Sequence, residues 1–207
     1  MALVTLELPR PDEMRGRWAA FAAVCAARGW SDSCFADGPR WHFDDGGGNF
    51  ADLVHVDGAG AVLVGNDHEY SETYFATAAE YFGEEETDLL AGAPDWWGPP
   101  ARAAMDRGEW VGFVYGFEDG TWRRAPYDAD DGFRSVGLPA LDGQRCAERI
   151  TEFTQDAPGL DGPPPADAVA ALIAADADVT PELLARVVGT GGWDLTAGAA
   201  AARAFRP

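Results

Sequence analysis

The chain has 207 residues, with a hydrophobic fraction of 47% and an aromatic fraction of 12%, which sets it among globular proteins and apart from disordered ones. Its formal net charge is -20 at pH 7. Such a field repels phosphate backbones and anionic lipid, so neither nucleic acid nor membrane is expected as a partner, and a protein or a small cationic ligand is.

The N-terminal stretch lacks a basic start followed by an apolar core and cleavage site. No apolar run approaches the roughly 20 residues of a membrane span, so the chain reads as cytoplasmic. Asp12 to Arg28 reads as a helix opened by Pro11 and closed by Gly29. Met14, Trp18, Phe21 and Cys25 recur at helical spacing on one face. Residues 29–40 read as a loop containing Cys34. Three strands follow, near Trp41–Asp44, Asp52–Asp57 and Ala61–Asn66. Gly58-Ala59-Gly60 is the expected hairpin loop. Pairing Val56 with Val62 and Val54 with Val64 puts four valines on a core face and turns His55 the other way.

Ser71 to Phe82 reads as a helix capped by Ser71, with Tyr74, Phe75, Ala78 and Phe82 as its apolar stripe. Glu84–Glu86 reads as a solvated turn, and residues 87–110 as short helical turns broken by Gly and Pro. Trp96 and Trp97 either edge the core or anchor a lid-like segment. Trp110 to Tyr127 reads as a hairpin on a primed Asp119-Gly120 turn, with Phe117 opposite Trp122 and Tyr115 opposite Arg124. Gln144 to Phe153 is a helix. Residues 156–167 are rich in Pro and Gly. Three short helices follow: Ala166–Ala175, one running from a Thr180 cap and Pro181 to Gly189, and Thr196–Phe205. The expected architecture is α+β: an antiparallel sheet with helices packed on one face, plus a small helical C-terminal segment. The expected organisation is a core domain at 1–157, a linker at 158–165 and an appendage at 166–207.

The 15 Lys and Arg residues are all arginine. A Schiff-base lysine, a P-loop lysine and the phosphate-binding lysine of protein kinases are thereby excluded. Cys25, Cys34 and Cys146 are odd in number and lack CxxC spacing, so no zinc ribbon or thioredoxin-type motif is present, and the three read as reduced and structural. No G-x-S-x-G, strand-linked G-x-G-x-x-G or HExxH occurs. Residues 127–133, YDADDGF, lack the oxygen ligands of an EF-hand and read as an acidic loop.

His42, His55 and His68 are spaced by 13 residues each time, which invites a three-His metal site. The strand register opposes it, because His55 and His68 fall about 16 Å apart along the hairpin. A better cluster forms where the glycine-rich loop 44–50 closes against the end of the third strand. There Asp44, Asp45 and Asn49 approach Asp67, His68 and Glu69. The metal candidates are Asp44, Asp45, Asp67 and His68, for a divalent cation; the catalytic candidates are His68 and Glu69. A carboxylate neighbour would keep His68 protonated at neutral pH. The plainer alternative is a capped helix start, where acidic residues complement the dipole.

On the second hairpin, Tyr115, Phe117, Trp122 and Arg124 share a face. Left exposed, it is the expected partner-binding surface; covered by a helix, it is core. The leading functional reading is a non-catalytic cytoplasmic binding module using this aromatic face or an acidic cleft. The alternative is a metal-dependent or acid–base enzyme centred on His68. A third reading is a homo-oligomer that buries its aromatic face.

Overall fold

The computed structural model describes residues 2–206. Seven strands, β1 (Val4–Leu6), β2 (Cys34–Asp37), β3 (Arg40–Asp44), β4 (Phe50–Val56), β5 (Gly60–Asn66), β6 (Phe113–Glu118) and β7 (Thr121–Arg124), form an antiparallel sheet in the order β1-β7-β6-β5-β4-β3-β2. The helices among the described residues are α1 (Pro11–Arg28), α2 (Thr77–Phe82), α3 (Gly98–Asp106), α4 (Gly143–Thr154), α5 (Ala166–Ala174), α6 (Pro181–Val188) and α7 (Leu195–Arg203). This is an α+β fold. Among the described residues no helix is long and apolar enough to cross a membrane. The chain divides into two compact units, one of residues 1–10 and 42–137, the other of 11–41 and 138–207. These boundaries differ from the 158–165 linker expected from Pro and Gly content.

The first unit is built on two hairpins. In β4–β5, Val54 pairs with Val62 and Val56 with Gly60, so Val64 faces Asp52 instead of Val54. The turn is Asp57-Gly58-Ala59, closed by a bond from the Ala59 amide to the Val56 carbonyl at 3.0 Å. Gly60 enters the ladder opposite Val56, at a place where a Cβ would overlap the Phe117 carbonyl. The displacement is an even number of residues, so the four valines still share a face. Val62, Val64 and Val114 pack there with Trp97, Ala101 and Ala104 of the 3-10 turn Asp95–Trp97 and α3. Gly116 of β6 makes room: a Cβ at that position would overlap the Trp97 indole. The second hairpin has the expected register, Phe117 with Trp122 and Tyr115 with Arg124. Asp119 and Gly120 have φ of 51° and 76°, as a primed two-residue turn requires.

The expected helix at 71–82 is shorter. Only Thr77–Phe82 is helical, and its N-cap, Ala76, gives no side-chain cap. Ser71 instead forms an isolated bridge with Asp131, and the Thr73 hydroxyl donates to the Gly112 carbonyl. These bonds hold the chain out of the helix through its first turns.

In the second unit, α1 is buried from Trp18 to Ala27 on every side, beyond the single stripe its large residues define. Alanine permits this by letting neighbours approach closely. Gly198 of α7 sits where a Cβ would overlap the Ala23 carbonyl and Leu184. Arg15 donates to both oxygens of Asp176, and Thr180 and Gly189 bound α6 as expected. The helices α5, α6 and α7 pack against α1. Cys34 opens β2 and is buried, not placed in a loop. All three cysteines are free and buried. Burial pushes the Cys25 and Cys146 thiols up to about 12, and the Cys34 thiol well above its ordinary value.

Candidate functional site

The glycine-rich loop does close at the end of β5 from which His68 emerges. Asp45 organises it, accepting from the Gly47 and Asn49 amides and the Asn49 side chain. Asn49 then accepts from the His68 amide at 2.9 Å, and its Oδ1 lies 3.0 Å from His68 Nδ1. Gly48, at φ of 102°, lets the imidazole pass; a Cβ there would lie 3.2 Å from Nδ1. The group at Nδ1 is thus an amide, where a carboxylate was expected. Asp44 accepts from the Gly46 amide, so both loop carboxylates serve their own turn. Among the described residues no group of three or more His, Cys, Asp or Glu is arranged to hold a metal. The site brings Asn49 and His68 together, but it does not gather Asp44, Asp45, Asp67 and His68 as a ligand set. Glu69 is exposed.

The histidines stand in three separate settings. His42 Nδ1 lies 2.6 Å from Asp52 Oδ1, and the other Asp52 oxygen accepts from Arg107. His55 pairs with Ala61 in the ladder. Asp52 is buried, and a charge so placed needs partners of this kind. An aspartate in line with the valines of FADLVHV is the sequence signal for such a network.

The hairpin face is covered. Tyr115 is 3% and Trp122 1% exposed. Trp122 Nε1 donates to the Pro9 carbonyl at 2.8 Å, and Phe133 stacks edge-on against Tyr115. Phe117 and Arg124 are half-buried. The Arg124 guanidinium lies over the Tyr127 ring and bonds the Tyr127 carbonyl. The four residues share a covered face: Phe117 and Trp122 pack on each other, and Tyr115 and Arg124 meet a polar loop. That loop is the acidic YDADDGF stretch. Asp131 Oδ2 accepts from the Tyr115 and Tyr127 hydroxyls at 2.6 and 2.8 Å, and its backbone carbonyl accepts from Ser71. Burial pushes both phenols well above the usual tyrosine value, and the Asp131 charge adds to this.

Asp67 pairs burial with a place in a pocket wall. It is 1% exposed. Its Oδ1 accepts from the Glu69 and Tyr70 amides at 2.9 Å, while its Oδ2 is buried with no hydrogen-bond partner among the described residues. A pocket of about 340 Å³ opens beside it, walled by Asn66, Asp67, His68, Thr73, Tyr74 and Trp110. At its rim stand Phe82, expected on an apolar helix stripe, and Trp110, expected to open a hairpin, with Tyr81 against both. Tyr81 is 73%, Phe82 52% and Trp110 36% exposed. Their rings lie 4.9 to 5.4 Å apart, and Phe82 also meets Tyr74 at 5.8 Å. The bonds of Ser71 to Asp131 and of Thr73 to Gly112 keep residues 71–76 out of α2, and Tyr81 and Phe82 stand exposed at its end. Comparison of the chain with protein families, with curated proteins and with solved structures gives no match.

Proposed function

We propose that the protein is a non-catalytic cytoplasmic binding module whose Asp67 pocket holds an organic cation, such as an ammonium or guanidinium group. The observation that carries this reading is the unpartnered, buried Oδ2 of Asp67, a residue that lines the pocket. A buried carboxylate oxygen without a donor costs free energy that a bound cation offsets. The aromatic rim supports the same ligand, since Trp and Tyr faces attract cations. The donor set favours an organic cation over a bare divalent ion, which takes six or more oxygens. The charge of -20 raises the local concentration of any such ligand. The buried free cysteines suit a reducing compartment. The homo-oligomer reading no longer has an exposed hairpin face to use.

The test is the melting temperature of the full chain with N-acetyl-arginine methylamide, tetramethylammonium or magnesium. A ligand bound only to the native state stabilises it by about 2.7 kcal/mol at 100 times its Kd. At least one organic cation is expected to raise the melting temperature in the wild type, with no rise in Asp67→Asn and none with magnesium. Equal shifts in wild type and variant, or none with either organic cation, would overturn the reading.

A further inference from the structure

We infer that the cation held at Asp67 is an arginine side chain of a basic polypeptide segment, which places a second basic side chain in an adjoining acidic basin. This rests on the pocket reading above and adds the partner.

A second hollow, of about 470 Å³, lies beside the first and shares Tyr74 with it. Its walls carry Glu72, Glu84, Glu85, Glu86, Asp88 and Asp128, and no basic side chain lines it. These six carboxylates are exposed. Thr87, in the wall of the second hollow, donates its amide to the carbonyl of the shared Tyr74 at 2.9 Å. The exposed patch of Tyr81, Phe82 and Trp110 adjoins the first hollow, and Phe82 and Trp110 line it. Stacked aromatics with an acidic surround complement a segment with arginines. The guanidinium planes stack on the rings, and their charges meet the carboxylates. A single small cation would fill the Asp67 pocket and leave the basin unused. A segment with two arginines uses both hollows, and linking two contacts multiplies affinity through effective concentration.

The test compares N-acetyl-arginine methylamide with acetylated, amidated peptides of two arginines separated by one to four glycines, titrated into the full chain by calorimetry. The best peptide is expected to bind at least tenfold tighter than the single arginine. The quadruple variant E84Q/E85Q/E86Q/D88N should bring that peptide to within twofold of the single arginine and leave the single arginine unchanged. A control with the same charge loss, E7Q/D32N/D37N/D161N, should keep the tenfold preference. If peptide and single arginine bind wild type equally, or both quadruple variants weaken the peptide alike, the two-site proposal falls and the pocket reading stands. If the single arginine and the peptides all fail to bind, both fall.

Discussion

At the scale of the residue, Trp122 and Asp67 show how burial changes a role. Tyr, Trp and Arg on one strand face resemble an interaction surface, but Trp122 is inside, bonded to the Pro9 carbonyl. Trp122→Ala is expected to cost about 3–5 kcal/mol of stability, as for other large-to-small changes in a core. Denaturant unfolding measures this. A loss below about 1 kcal/mol would mean that the side chain is more exposed than described. Asp67 has the opposite character. Removing its charge deletes no hydrogen bond at Oδ2, so Asp67→Asn should alter binding far more than folding.

At the scale of the element, the acidic loop 127–133 works as a clasp. Asp131 takes both tyrosine hydroxyls, and Ser71 joins its backbone to the chain after β5. Asp131→Ala leaves the Tyr115 hydroxyl buried without its acceptor, at an expected cost of about 1–3 kcal/mol. Tyr115→Phe added to that background should recover part of the loss, as urea unfolding of the single and double variants would reveal; no recovery would mean that the bond contributes little. The elements that were legible in the sequence had strong local chemistry. Asp119-Gly120 demands a primed turn, and Thr180-Pro181 demands a helix start. Alternation placed the four valines on one face even though the pairing was displaced, since parity survives an even shift. What was not legible depended on distant partners. Ser71 prefers Asp131 to capping a helix, and only the fold brings those two together. The pocket was half legible: Asp67, His68 and Glu69 were singled out around His68 and a metal, whereas the distinctive atom belongs to Asp67. Tyr81 and Phe82 of the aromatic rim were hidden inside an expected helix, and Trp110 at the start of an expected hairpin.

At the scale of the whole molecule, charge and burial set the response to pH. The Cys25 and Cys146 thiols titrate at about 12 in the folded chain, against about 8.5 when unfolded. Above pH 8.5 the unfolded chain loses these protons while the folded chain keeps them. Stability is therefore complete below about pH 8.5 and declines as pH rises towards 12, by about 1.4 kcal/mol per pH unit for each thiol. The raised phenols of Tyr115 and Tyr127 act in the same direction above pH 10. Urea unfolding between pH 8 and 11 checks this, and a flat profile would contradict it. The central claim concerns a single carboxylate, and the most direct measurement is NMR of the aspartate and glutamate carboxylates and the tryptophan indoles during titration with N-acetyl-arginine methylamide. The expected result is a saturable movement of the Asp67 signal together with the Trp110 indole signal, with the same midpoint. Movement confined to the glutamates at 84–86, with Asp67 still, would contradict the account.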